Sequence, residues 1–264
     1  MKVVTSRGNS FFKQLLKLTD SASRRRLEGL TVLDGSHLIE AYRAAIGLPR
    51  GLIVSESGLE NGEIKFLLRR MGIEGAPPPT VFGDALFREI SPLKNPSGVM
   101  ALIAVPAHAA IRVHPGPDFR VLLEAIQDPG NIGSILRSAA AAGVQDAYLS
   151  AGCADMWSPK ALRTAMGAHF RLRIHEHADL IQVAREFDGT VFATTLSAKK
   201  SLYAAKLTGP VAFAFGNEGA GLSRELLKAV DEQILIPMPG KMESLNAAAA
   251  AAACFFERVR QLQA

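Results

Sequence analysis

Seven consecutive alanines, Ala247–Ala253, constrain this chain more than any other stretch. Alanine is the strongest helix former and carries no bulk, so the run reads as a helix that can approach another backbone closely. Before it stand the apolar run Ile234–Ile236 and then Pro-Met-Pro-Gly, the chemistry of a strand giving way to a turn. Glu243, Ser244 and Asn246 occupy the mouth of the helix. A Ser or Asn at a helix start is first of all a cap. Polar groups at the end of so smooth a helix also suit a ligand.

Strand and helix patterns alternate along the rest of the 264 residues. Residues 1–105 read as a small layered α/β domain. Its predicted helices are Asn9–Leu18, Ser36–Ile46, Ile64–Met71 and Asp84–Ile90; its strands are Leu30–Leu33, Gly51–Val54, Thr80–Phe82 and Val99–Val105. Arg24, Arg25 and Arg26 follow a Ser/Ala stretch read as loop. Residues 106–117 are rich in Pro and Ala and form the expected linker, with His108 and His114 as solvated residues. From 118 to 264 longer βα units follow. The expected buried strand Arg120–Ile126, the strand Val191–Thr195 and the near-continuous apolar run Val211–Phe215 suit a mostly parallel sheet covered on both faces. Ser158–Met166 is read as one of the helices of this second domain.

Charge separates the two parts. Residues 1–50 hold nine Lys/Arg against four Asp/Glu, which accounts for the whole net charge of +5. A basic front beside a neutral body suggests one part that grips a polyanion and another that does chemistry. Cys153 and Cys254 lie far apart with no CxxC, so neither a disulfide framework nor a zinc site is expected. His175 and His177 share one side of a predicted strand but have no third ligand, and His169 reads as a packed residue. No metal is expected, nor is a membrane partner, because no stretch has the length of a membrane span. The protein reads as cytoplasmic.

Three loops carry the candidate chemistry. In Gln127–Arg137 a strand ends at a Pro-Gly turn, with Asn131 placed as helix N-cap and Ile132, Ile135, Leu136 and Ala139 forming the stripe that meets the sheet. Arg137 lies off that stripe. Phe215–Gly221 follows a buried strand as GxxGxG, which is neither the dinucleotide fingerprint nor a P-loop. The third is the mouth of the alanine helix. All three follow strands of one domain, where ligands of open α/β sheets gather.

DPGNIGSILRSAAAAG, VAFAFGNEGAGLS and ILIPMPGKMESLNAAAAAAACFFE resemble, in order and spacing, the three signature motifs of the SpoU (TrmH) family of RNA ribose 2′-O-methyltransferases, in the SPOUT superfamily. Residues 1–105, with VLDGSHLIEAY, resemble the ribosomal-protein-L30e-like substrate-binding domain often found in front of it. The resemblance implies a trefoil-knotted α/β domain, S-adenosyl-L-methionine bound in the knot, and a homodimer whose site takes residues from both chains. By matching position it implies catalytic roles for Asn131, Arg137, Glu218, Ser244 and Asn246. Gly216, Ile236 and Leu245 would bind the methyl donor largely through backbone groups, with Thr195, Leu196 and Met238 lining the same pocket. Uninterrupted alanine after SLN, and Lys241 and Met242 in the turn, depart from the pattern.

These motifs hold no histidine to serve as a base, and a guanidinium is almost never deprotonated. Arg137 therefore reads as the group that stabilises a developing alkoxide, with Glu218 orienting it. The expected function is methylation of a ribose 2′-hydroxyl in structured RNA, ribosomal RNA ahead of transfer RNA. The competing reading is a non-catalytic RNA-binding or assembly factor that kept the fold.

Overall fold

The computed structural model describes residues 2–106, 116–240 and 242–263. Almost all of the expected linker, including His108 and His114, lies outside them, as does Lys241. The described chain groups into two compact units, residues 2–106 with 157–170, and residues 116–156 with 171–263.

The first unit has strands β1 Lys2–Val4, β2 Leu30–Asp34, β3 Gly51–Ser55, β4 Thr80–Phe82 and β5 Val99–Ala104, ordered β1-β4-β3-β5-β2. Strands β1, β4 and β3 run parallel, and β5 is antiparallel to both β3 and β2. Its helices are α1 Ser10–Asp20, α2 Ala22–Glu28, α3 Ser36–Ala45, α4 Gly62–Ile73 and α5 Asp84–Ile90. Phe12, Leu15 and Leu18 of α1 and Leu86, Phe87 and Ile90 of α5 meet Val32, Ile53, Phe82 and Met100 in one apolar cluster. The Ser/Ala stretch read as loop is the head of a helix: Ser21 caps α2, which carries Ala22, Ser23 and the arginine triplet. Arg25 is buried there and donates to the carbonyls of Leu18 and Thr19. Residues 158–166, expected in the second domain, group with this unit: Thr31 donates to the Trp157 carbonyl, and Tyr42 meets Phe170 edge-on at 5.3 Å.

The second unit carries β6 Phe119–Leu123, β7 Asp146–Leu149, β8 Arg173–His175, β9 Thr190–Thr194, β10 Lys200–Ser201, β11 Val211–Phe215 and β12 Glu232–Leu235. They form one sheet ordered β10-β12-β9-β11-β6-β7-β8, and every pairing is parallel. Central β11 is buried at all five positions, as its unbroken apolar run requires. Helices α6 Pro129–Ala141, α8 Leu180–Arg185, α9 Arg224–Ala229 and α10 Ala247–Gln263 belong to this unit, and α7 Pro159–Ala165 to the first. The alanines let α10 lie close along α6. Farther along α10, Phe255 meets Phe119 and Phe215 edge-on at 5.8 and 5.7 Å.

Three local expectations change. Helix α6 starts two residues earlier than read: Asp128 is its N-cap, accepting from Gly130 N at 2.8 Å, and Asn131 lies inside the first turn. Pro129 at the head of the helix favours this start, because its missing N–H costs nothing there. Strand β6 stops at Leu123, and Ala125, expected within it, is left-handed at φ 53°. His177 lies beyond β8, also left-handed at φ 56°, so it shares no strand face with His175. His175 instead stacks on Tyr148 at 4.4 Å and bonds Asp146.

Candidate active site

A parallel sheet brings all of its carboxyl ends to one edge, so the loops after β6, β9, β11 and β12 meet there. The loops after β9, β11 and β12 enclose a cleft of about 720 Å³. Thr194–Leu196, Phe215–Leu222, Ile236, Met238 and Glu243–Ala247 line it. Thr195, Leu196, Gly216, Ile236, Met238 and Leu245, the six residues marked for cofactor binding, are all in its wall. So are Glu218, Ser244 and Asn246.

One hydrogen-bonded chain joins the three motif loops. The Glu218 carboxylate accepts from Asn131 Nδ2 at 2.9 Å and from the backbone N–H groups of Gln127 and Asp128 at 3.2 and 3.3 Å. The other end of the same amide, Asn131 Oδ1, accepts from Asn246 Nδ2 at 2.9 Å. Asn246 Oδ1 in turn caps α10, taking the N–H groups of Ala248 and Ala249. Asn246 is thus a cap and a link at once. Partial burial works to raise the Glu218 pKa, but the Asn131 amide and the surrounding backbone N–H groups outweigh it and hold the carboxyl below the ordinary glutamate value.

Arg137 stands apart. It is exposed on α6, outside the cleft wall, and among the described residues it makes no hydrogen bond or ion pair. The expectation that Glu218 orients it is not met within one chain, because the Glu218 carboxylate is engaged by the loop after β6. Ser244 is exposed on the cleft wall.

The glycine loop is shaped by its own closure. A Cβ on Gly216 would sit 2.2 Å from the Gly221 carbonyl carbon, so only glycine lets the strands of the loop pass. Asn217 and Gly221 exchange two backbone hydrogen bonds across it, of 3.0 and 2.9 Å. Residues 118–256 match the SpoU rRNA Methylase family.

The chain belongs to that family.

Among its relatives, an uncharacterised tRNA/rRNA methyltransferase of Synechocystis sp. is 32% identical over 98% of this chain and 93% of its own length. A 23S rRNA guanosine 2′-O-methyltransferase of Bacillus subtilis is 27% identical over 96% of this chain and 97% of its own. The crystal structure of the SpoU methyltransferase AviRb of Streptomyces viridochromogenes, in complex with the cofactor AdoMet, is similar at a TM-score of 0.84 and 29% identity, covering 96% of this chain and 98% of that one.

Two further residues shape this SpoU site. Asn217 Oδ1 accepts from Gly219 and Ala220 N–H while its Nδ2 donates to the Ala125 carbonyl at 2.9 Å. An asparagine among glycines is a known former of such turns, so this one left a readable signal. Glu124, which takes both the N–H and the hydroxyl of Ser223 at 2.7 Å, left none.

Proposed function

We propose that this protein transfers a methyl group from S-adenosyl-L-methionine to a ribose 2′-hydroxyl of structured RNA, ribosomal RNA in particular. The observation that carries the reading is the chain Glu218–Asn131–Asn246, which joins three separate loops at one cleft. A scaffold that only bound RNA has no need of that convergence. Family membership and the AdoMet complex of the similar Streptomyces structure support the choice of cofactor.

The cleft suits such a cofactor. Its wall offers apolar surface from Phe215, Ile236, Met238 and Ala247 for a flat base, beside polar groups of Thr195, Ser244 and Glu243 for a sugar and an amino acid. A bound cofactor supplies an activated methyl and its own leaving group. The protein's share is to align the reactants and to manage one proton. Arg137 stabilises the oxygen that develops negative charge. Glu218 and Asn131 fix the loop from which α6 projects, and Ser244 and Asn246 fix the mouth of α10.

Arg137, exposed and outside the wall, fits this role in a homodimer in which one protomer's Arg137 meets its partner's cleft. A trefoil crossing of the loops around the cleft belongs to the same proposal. So does a division of labour in which residues 1–105, an L30e-like domain, hold RNA, and residues 118–264 carry the chemistry. The protein would act in the cytoplasm; among the described residues no helix is long and apolar enough to cross a membrane.

Tritiated methyl transfer to total RNA, followed by mapping of 2′-O-methyl positions with and without the protein, tests the reading. A single protected position in ribosomal RNA is the expected result. Modification of transfer RNA alone would correct the substrate, and RNA binding without transfer or cofactor affinity would reject the enzyme.

A further inference from the structure

Two side chains of the glycine loop reach across to the loop between β6 and α6, and only Glu218 has a role so far. Asn217 is the other. The loop that carries it is internally closed by the paired bonds between Asn217 and Gly221 and by the turn that Asn217 Oδ1 makes with Gly219 and Ala220. Its second arm, Asn217 Nδ2, holds the carbonyl of Ala125 at 2.9 Å. Ala125 is left-handed at φ 53°, a conformation whose Cβ crowding only glycine escapes. Both of its backbone polar groups are tied: the carbonyl to Asn217, and the N–H to Ser150 Oγ at 2.9 Å. Ala125 lies two residues past the end of β6 and three before Asp128 caps α6.

We infer that Asn217 is a positioning residue: it holds strained Ala125 in place, so that α6 begins where Asn131 meets Glu218 and Asn246 and projects Arg137 toward the reacting sugar. A residue in a costly conformation persists when its surroundings over-determine it, and such residues cluster at active sites. Here the over-determining groups are Asn217 on one side and Ser150 on the other. The inference rests on the methyltransferase reading for its kinetic consequence, though not for its structural one.

Asn217→Asp separates the two arms. The carboxylate still accepts from Gly219 and Ala220 but has no proton to give the Ala125 carbonyl. With full-length protein, ribosomal RNA and tritiated methyl donor, N217D is expected to lose roughly ten- to hundredfold in kcat, as small misplacements do. Asn217 also lines the cleft, so kcat is read at saturating S-adenosyl-L-methionine, where a change in cofactor affinity does not enter it. Adding Ala125→Gly, which removes the cost of the left-handed conformation, should recover at least about tenfold of that loss. In the absence of RNA, amide exchange over residues 125–132 should quicken in N217D. Unchanged exchange there overturns the inference, as does a double variant no faster than N217D. If the wild-type protein transfers no methyl to RNA, the functional reading fails, and the exchange measurement still decides whether Asn217 holds Ala125.

Discussion

Asn246 Nδ2 donates to Asn131 Oδ1 at 2.9 Å, across 115 positions of the chain, and the same Asn131 amide donates on to Glu218. A carboxamide can do both, because its oxygen accepts while its nitrogen donates. Asn131→Asp leaves an acceptor facing the Glu218 carboxylate, so a like-charge contact replaces a hydrogen bond. Methyl transfer under saturating cofactor should fall by on the order of a hundredfold. Asn131→Ala, which removes the bond without adding charge, should be less severe. Single-turnover assays of the two variants decide the order, and equal rates would show that charge at this position is unimportant.

Arg137→Ala should abolish turnover while calorimetric affinity for the cofactor is nearly unchanged, because the residue lies outside the cleft wall. Arg137→Lys should not restore it, since an ammonium lacks the planar fork. If Arg137 serves the partner's cleft, Arg137→Ala mixed with an inactive Asn246→Ala should form hybrid dimers with one complete site. Activity of about a quarter of wild type is then expected from random pairing of two-fold symmetric protomers. Failure of the mixture to exceed either parent would place the whole site in one chain.

Much of this arrangement is legible in the residues. The alanine run gives α10 its start at Ala247, the unbroken apolar run Val211–Phe215 gives a strand covered on both faces, and three loops that follow strands of one parallel sheet must meet at its edge. Asp128 and Asn131 are both good caps, and the choice between them turns on Pro129. Arg25 has the composition of a solvated charge, yet its guanidinium is occupied by carbonyls of the preceding helix. Strand β10 is only Lys200–Ser201, too short to show any alternation, and β1 likewise spans three residues. Such elements exist because a neighbour pairs with them. Ala125 leaves no mark at all, since its strain comes from contacts distant in sequence.

Acid should weaken the link between β7 and β8. Buried Asp146 takes Arg173 Nε at 2.7 Å and His175 Nε2 at 2.9 Å. Burial works to raise its pKa, but the hydrogen bonds from Arg173 and His175 outweigh it, so the carboxyl is held below the ordinary aspartate value. A depressed carboxyl contributes stability that is fully present above the unfolded pKa of about 3.9 and is lost as pH falls through the folded value. Melting temperature should therefore be insensitive to Asp146 from pH 7 to 5 and decline below about 4. Asp146→Asn should lower the plateau and flatten this acid limb; an unaltered limb would assign the acid sensitivity to other carboxylates.

Gly216→Ala tests the closure of the glycine loop separately. The new methyl would meet backbone rather than a movable side chain, at 2.2 Å from the Gly221 carbonyl carbon. The loop must open, and the cleft wall from Gly216 to Gly221 opens with it. Cofactor affinity should drop by on the order of a hundredfold or more. Gly209→Ala has open space around its Cβ and should bind normally. Equal affinities would mean that the loop tolerates opening and does not define the cleft.

The far end of α10 is fastened by a buried cation. Arg258, 1% exposed, donates to the carbonyls of Leu207 and Gly209 at 2.8 and 3.0 Å and lies 4.6 Å from the Phe119 ring centre. Gln261 secures the same loop, accepting from Leu207 N–H and donating to the Ala205 carbonyl. Burial alone lowers the Arg258 pKa, yet carbonyl acceptors on fixed backbone suit a guanidinium better than a point charge. Arg258→Ala leaves those carbonyls without their donor and a gap beside Phe119, at a cost of roughly 2–4 kcal/mol. Melting temperature should fall by on the order of 5–10 °C, with Arg258→Lys between the variant and wild type. At 20 °C the folded fraction should still bind S-adenosyl-L-methionine within about threefold of wild type, because Asn246 at the other end of the helix keeps its own hydrogen bonds. A loss of affinity larger than the loss of folded protein would mean that strain at the end of α10 reaches the cleft along the helix.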